Sequence, residues 1–137
     1  MRESFNVQTV SLVSGAFSGA TEIPLWRVPA KGGGITVLEA VSYQNGTNGS
    51  AATAGTAIGL KLITFGTVGT PGTAGTVPVL NGTIGNFPGT VYFGAGTVHE
   101  CTIGTPYVGP GYFVGIDETA GTIAAGVTIQ ISYVMGK

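Results

Sequence analysis

VTIQISYVM, residues 127–135, is the stretch on which the fold turns. Val127, Ile129, Ile131 and Tyr133 fall on one side of an extended chain, and Thr128, Gln130 and Ser132 on the other. A period of two is the pattern of a strand with one buried face. The apolar residues are β-branched or aromatic, the types that pack well on a pleated surface. Helical periodicity is almost absent elsewhere. Gly and Thr are poor helix formers, and Gly recurs too often to leave room for three turns.

Eight more segments read as strands. FNVQTVSLV (5–13) is the first. TEIPLWRV (21–28) is the second, and Pro24 marks it as an edge or a bulge because proline cannot donate to a ladder. ITVLEAVSY (35–43) follows the Gly32-Gly33-Gly34 turn. Strict alternation puts Ile35, Val37, Val41 and Tyr43 on one face with Glu39, and Leu38 and Ala40 on the other. AIGLKLITF (57–65) sets Ile58, Leu60 and Leu62 against Lys61. TVPVL (76–80), TVYF (90–93), TVHECTI (97–103) and YFVGID (112–117) complete the set. About eight strands at this spacing, with Gly-rich turns, indicate one all-β domain, an antiparallel β-sandwich or barrel.

Two long connections flank the strand at 57–65, and they should leave it at opposite ends. One is QNGTNGSAATAGT (44–56). The other, GTVGTPGTAGTVPVLNGT (66–83), carries Gly-Thr pairs starting at Gly66, Gly69, Gly72 and Gly75. Collagen needs glycine at every third residue over long runs with abundant proline, and here the register breaks at Val77-Pro78. A phosphate-cradling loop needs the pattern ending in Gly-Lys-Ser/Thr, which occurs nowhere in the chain. The run is read as a connector that can lie flat against a neighbour or move freely. Asn45-Gly46, Asn48-Gly49 and Asn81-Gly82 are turn dipeptides. Their glycosylation sequons are read as turn chemistry.

At 137 residues and 13.7 kDa the chain should bury roughly two-thirds of its extended surface, enough for a real core. It holds 25 Gly and 19 Thr, and only 8 % of it is charged, where about 25 % is usual. Between Glu39 and Glu100 the only charge is Lys61. Either Thr, Ser, Asn and backbone cover a surface so poor in charge, or much of it is buried against partners, and the second reading is preferred. The net charge of −1 offers no basic footprint for nucleic acid. No apolar run reaches 18 residues, so no membrane-spanning helix is expected. Glu3, Asn6, Gln8 and Thr9 interrupt what would be the apolar part of a cleaved leader. Cys101, the single cysteine, cannot form a disulfide within the chain.

Few residues invite chemistry. His99 and Cys101 in VHEC (98–101) share a strand face. A thiol–imidazole pair or a two-ligand metal site is conceivable, but same-strand neighbours rarely reach catalytic geometry, and further ligands are scarce. A buried thiol beside an ordinary polar residue is the simpler reading. Asp117 and Glu118 in GIDETAG (115–121) point to opposite faces if extended. At a turn they could hold a divalent cation; a solvated turn is the plain alternative. Trp26 suits core or interface packing better than ligand stacking. Tyr92, Phe93, Tyr107, Tyr112 and Phe113 could form a sugar platform or simply fill the core. No cofactor loop or paired acid–base set is present, so an enzyme is the weakest hypothesis and no cofactor is expected.

Taken together, GYFVGIDETAGTIAAGVTIQISYVMGK (111–137), the charge-poor Gly/Thr/Ala composition and the extended N-terminal segment resemble the small all-β virion proteins of tailed bacteriophages. In that C-terminal stretch a strand, an acidic Gly-Thr-Ala turn and a final alternating strand end the chain. The resemblance implies a jelly roll or related sandwich that binds the capsid exterior as a decoration (cement) protein. It also implies synthesis in the host cytoplasm, a homotrimer at local symmetry axes, and the major capsid protein lattice as partner, with neither nucleic acid nor membrane involved. Segment 1–13 is the candidate for docking or strand exchange. The candidate subunit or capsid contacts are Phe5, Val7, Trp26, Thr67, Thr70 and Thr73. The rival readings are a tail-fibre or receptor-binding domain for a host glycan, and a small shell, surface-layer or pilin-type subunit.

Overall fold

The computed structural model describes residues 6–15, 17–18, 21–44, 59–66, 80–87, 98–120, 122–123 and 126–137. These form twelve strand segments: β1 (Gln8–Val13), β2 (Phe17–Ser18), β3 (Thr21–Arg27), β4 (Ile35–Gln44), β5 (Gly59–Phe65), β6 (Leu80–Asn86), β7 (Val98–Glu100), β8 (Thr102–Ile103), β9 (Tyr107–Val108), β10 (Phe113–Ala120), β11 (Thr122–Ile123) and β12 (Val127–Met135). No helix occurs among them.

The strands form two antiparallel sheets, consistent with a β-sandwich. One has the order β1-β12-β4-β7, with β9 also on β4. The other has the order β3-β10-β5-β6-β8. A small ladder joins β2 to β11. The pairing is nested along the chain: β1 with β12, β2 with β11, β3 with β10, β4 with β7 and β9, and β5 with β6. The chain is one long antiparallel hairpin, folded back between β5 and β6, where the Gly-Thr run lies in sequence. It is then rolled so that β12 also pairs with β4 and β10 with β5.

The roll buries the apolar faces. β12 contributes Val127, Ile129, Ile131 and Tyr133 to the interior, as the opening stretch predicts, and β1 adds Leu12. Val114 and Ile116 of β10, Leu60 and Leu62 of β5, and Ile84 of β6 face them from the other sheet. Pro24 sits where its chemistry requires. β3 is the edge of its sheet, and the register slips between Trp26 and Pro24, leaving Leu25 as an extra residue. Gly32, Gly33 and Gly34 have φ of 105°, 79° and 83°, so the turn before β4 depends on glycine.

Strict alternation fails in β4. Ser132 pairs with Glu39 but Tyr133 pairs with Val37, so Leu38 is a bulged residue, 51 % exposed. The bulge changes the parity of the strand. Ile35 and Val37 are buried before it and Ala40 and Ser42 after it, while Val41 and Tyr43 lie half-buried on the opposite face. β5 departs as well. Its second face is also covered, with Ile63 and Phe65 buried, as befits a strand at the centre of its sheet. Phe65 lies against Gly115, where an added Cβ would come within 2.8 Å of the ring and collide with the Ile23 carbonyl oxygen.

Other boundaries are corrected. Asn81-Gly82 is part of strand β6, not a turn. Further along β6 glycine is needed for close approach: a Cβ at Gly85 would strike the Thr102 carbonyl and lie 2.7 Å from the Cys101 sulfur. The acidic turn weighed for GIDETAG (115–121) is strand as far as Ala120, because β10 pairs with β3 up to Glu118 and with β5 up to Ala120. The single strand expected at 97–103 is divided between the two sheets, and β9 follows where no strand was expected. Residues 45–58, 67–79 and 88–97 lie outside the described residues. With them fall the expected strand at 90–93, most of that at 76–80 and most of both long connections.

Candidate functional site: a cleft where one strand changes sheets

The segment 98–108 begins beside β4, with Val98, His99 and Glu100 opposite Tyr43, Ser42 and Val41. The Cys101 amide continues this ladder by donating to the Ala40 carbonyl at 2.8 Å. Thr102 and Ile103 then pair with Asn86 and Gly85 of β6, in the other sheet. The Gly104 and Thr105 amides both donate to the Ile84 carbonyl, at 2.9 and 3.0 Å. Beyond Thr105 the chain returns to β4: the Val37 amide donates to the Pro106 carbonyl at 2.9 Å, and β9 pairs with Ile35 and Thr36. One strand thereby stitches the two sheets together along one margin. Once it has left β6, nothing among the described residues fills the gap between β6 and β9.

That gap is a cleft of about 590 Å³, within the range of about 300–1,000 Å³ common for small-molecule sites. Its wall on the β5–β6 side is Thr64, Gly82, Thr83 and Ile84. The opposite wall is Thr105, Tyr107 and Val108, and the turn Gly109, Pro110 and Tyr112 closes the end. Ile84, Val108 and Thr64 are buried and form the floor, whereas Thr83, Thr105 and Pro110 are exposed at the rim. The polar groups are mostly threonine hydroxyls, and none of these residues is charged.

The tyrosines are held firmly. The Tyr107 hydroxyl donates to the Gly33 carbonyl at 2.9 Å, and the Lys137 ammonium stands 5.1 Å from its ring centre. Tyr112 is fixed through its backbone. The Val28 amide donates to the Tyr112 carbonyl at 2.8 Å, and the Gly111 amide to the Val28 carbonyl at 3.1 Å. Gly111 has φ of 80°, which makes the tight turn possible. The Arg27 Nε–H donates to the Gly111 carbonyl at 3.4 Å.

Of the aromatic group named from sequence, the cleft gathers Tyr107 and Tyr112. Phe113 is half-buried in β10 away from it, and Tyr92 and Phe93 lie outside the described residues. Gly109-Pro110-Gly111 is a local turn signal that could have marked this corner. Nothing local marks Thr64, Thr83 or Thr105, which meet only because three distant strands converge.

The candidate contact residues sit elsewhere. Val7 is 52 % exposed just before β1. Trp26 packs at the core margin with its ring centre 5.2 Å from that of Tyr133, tilted by 46°, and the Tyr133 hydroxyl donates to Gln8 Oε1 at 3.1 Å. Trp26 and the start of β1 are thus brought to one margin. Phe5, Thr67, Thr70 and Thr73 lie outside the described residues.

His99 and Cys101 share the inward side, opposite Ser42 and Ala40. Burial lowers the His99 pKa and pushes the Cys101 thiol up to about 11. At neutral pH the thiol is protonated, the opposite of an activated nucleophile. Asp117 lies between Glu22 and Lys61 on the outer side of β10, while Glu118 is fully buried on the core side. The two carboxylates therefore do not converge. No group of three or more potential metal ligands occurs among the described residues. No protein-family model, characterised protein or solved structure matches the chain.

Proposed function

We propose that the protein is a structural virion subunit, a decoration protein that docks edge-on to neighbouring subunits on the capsid exterior of a tailed bacteriophage. The observation that carries this reading is the outer edge of β1. Among the described residues β1 has a single ladder partner, β12, in a register free of bulges from Gln8–Tyr133 to Val13–Thr128. Soluble proteins usually blunt such an edge with lysine, proline or a bulge. QTVSLV has none of these; Val7 just before it and Val13 at its end are 52 % and 65 % exposed. A regular, uncharged edge is the surface on which another strand adds.

The topology supports the same reading. Counting 98–108 as one strand that changes sheets gives eight principal strands paired first with last, second with seventh, third with sixth and fourth with fifth. We read this nesting as a jelly roll, an architecture of viral capsid and lectin domains. Fold alone does not assign function. The scarcity of charge adds weight, because a surface covered by copies of itself or by a lattice needs little charge for solubility. Contacts repeated by closed symmetry, as in a trimer, would spread load over many modest interfaces.

The test is stoichiometry. Quantitative mass spectrometry of purified native particles should find the chain at hundreds of copies. Sedimentation of the isolated protein should find an oligomer, which the variant Val7→Lys/Val13→Lys reduces to folded monomer. A protein that sediments as a monomer and is missing from particles sinks the proposal, and a handful of copies per particle moves it to the tail.

A further inference from the structure

We propose that the cleft between β6 and β9 binds a neutral saccharide, with the Tyr112 ring as its stacking platform. A pyranose presents C–H groups on its faces and hydroxyls around its rim. Its complement is an aromatic face beside neutral hydrogen-bonding groups. The cleft supplies both: the Tyr112 ring at its closed end, and the Thr64, Thr83 and Thr105 hydroxyls along two walls. A hydroxyl both donates and accepts, so these side chains match sugar hydroxyls in either sense.

Charge argues for the same class. None of the described lining residues carries a charge, so an anionic or cationic ligand would lose hydration without a partner. The nearby Lys137 ammonium stands over Tyr107, which leaves Tyr112 as the ring free of a cation. The Thr64 hydroxyl already donates to the Gly82 carbonyl at 3.4 Å, but a purely apolar ligand would strip water from the Thr83 and Thr105 hydroxyls. The site is also pre-formed, since Tyr112 is tied to Val28 and Tyr107 to Gly33. Pre-organisation of this kind lowers the entropy lost on binding.

The cleft and the β1 edge lie on opposite margins of the sandwich: β1 and β3 bound one side, and the β6–β9 gap bounds the other. A subunit docked through β1 would leave the cleft open. The saccharide reading therefore stands whether or not the docking reading does.

Gly109 supplies an incisive variant. Its φ is not positive, so alanine fits the backbone there. The added methyl would lie 3.8 Å from the Tyr112 ring, in ordinary contact, and cover part of the platform. The experiment is a titration of the intact protein with neutral methyl glycosides (glucoside, galactoside, mannoside, N-acetylglucosaminide), followed by amide shifts in two-dimensional NMR. Methyl glucuronide is the charged control. At least one neutral glycoside should move the amides of Thr83, Thr105, Tyr107 and Tyr112. Gly109→Ala and Tyr112→Leu should weaken that binding about five- to tenfold, and Tyr112→Phe should leave it nearly unchanged. Shifts confined to other surfaces, no shift up to tens of millimolar glycoside, equal binding of the glucuronide, or undiminished binding in Tyr112→Leu would each overturn the proposal. If a variant fails to fold, the titration of the parent protein still decides.

Discussion

Burial raises the Cys101 thiol from 9.0 to about 11, and its direction of effect on stability follows. The unfolded chain loses that proton first, so the protonated thiol favours the fold fully below pH 9.0, and the contribution disappears as pH rises to about 11. Cys101→Ala should flatten the alkaline arm of a plot of urea midpoint against pH. Native protein should react with a thiol reagent at pH 8 far more slowly than protein in urea. Equal rates would show the thiol to be accessible. His99 acts at the other end. Its lowered pKa means that the unfolded chain takes up the proton first as pH drops below 6.5, so stability present above that pH is lost on acidification. His99→Asn should remove part of this acid-side slope. Both residues were visible in the sequence as a VHEC cluster. The buried thiol was the simpler reading of that cluster, but the partial burial of His99 was not legible, because it depends on Ser42 in a strand far away in the chain.

At the scale of elements, the alternating strands were the legible part. VTIQISYVM has the predicted faces and the predicted ends, and Pro24 is both on an edge and at a bulge. Bulges were what the alternation concealed. Leu38 looks like one more alternating residue, yet its insertion lets both Val37 and Ala40 face the core. Deleting Leu38 should restore strict alternation, with Val37 and Ala40 two residues apart and both still facing the core, so the protein should stay folded at a cost below about 3 kcal/mol. Leu38→Thr, by contrast, should lie within about 0.5 kcal/mol of the parent, since the side chain is exposed. Chemical denaturation of the two variants checks this, and an unfolded deletion variant would show that the bulge itself is required. The β7–β8–β9 segment was the other concealed feature. VHECTI has the period of a single strand, and only competition between β4 and β6 for its backbone divides it.

For the whole molecule, nested pairing makes nearly every ladder long-range: Gln8 pairs with Tyr133, and Arg27 with Phe113. Loop-closure entropy must be met before such contacts form, so stopped-flow refolding should run in milliseconds to seconds. A microsecond phase carrying the full amplitude would contradict this topology. Local residue order determined the all-β class, the faces of the best strands and the scarcity of charge, because alternation, propensity and composition are written in neighbouring side chains. Tertiary structure alone decided which strands pair, where the register slips and that Thr64, Thr83, Thr105 and Tyr112 line one cleft. Those outcomes depend on hydrogen-bond partners brought together from opposite ends of the chain, and such partners leave no local mark.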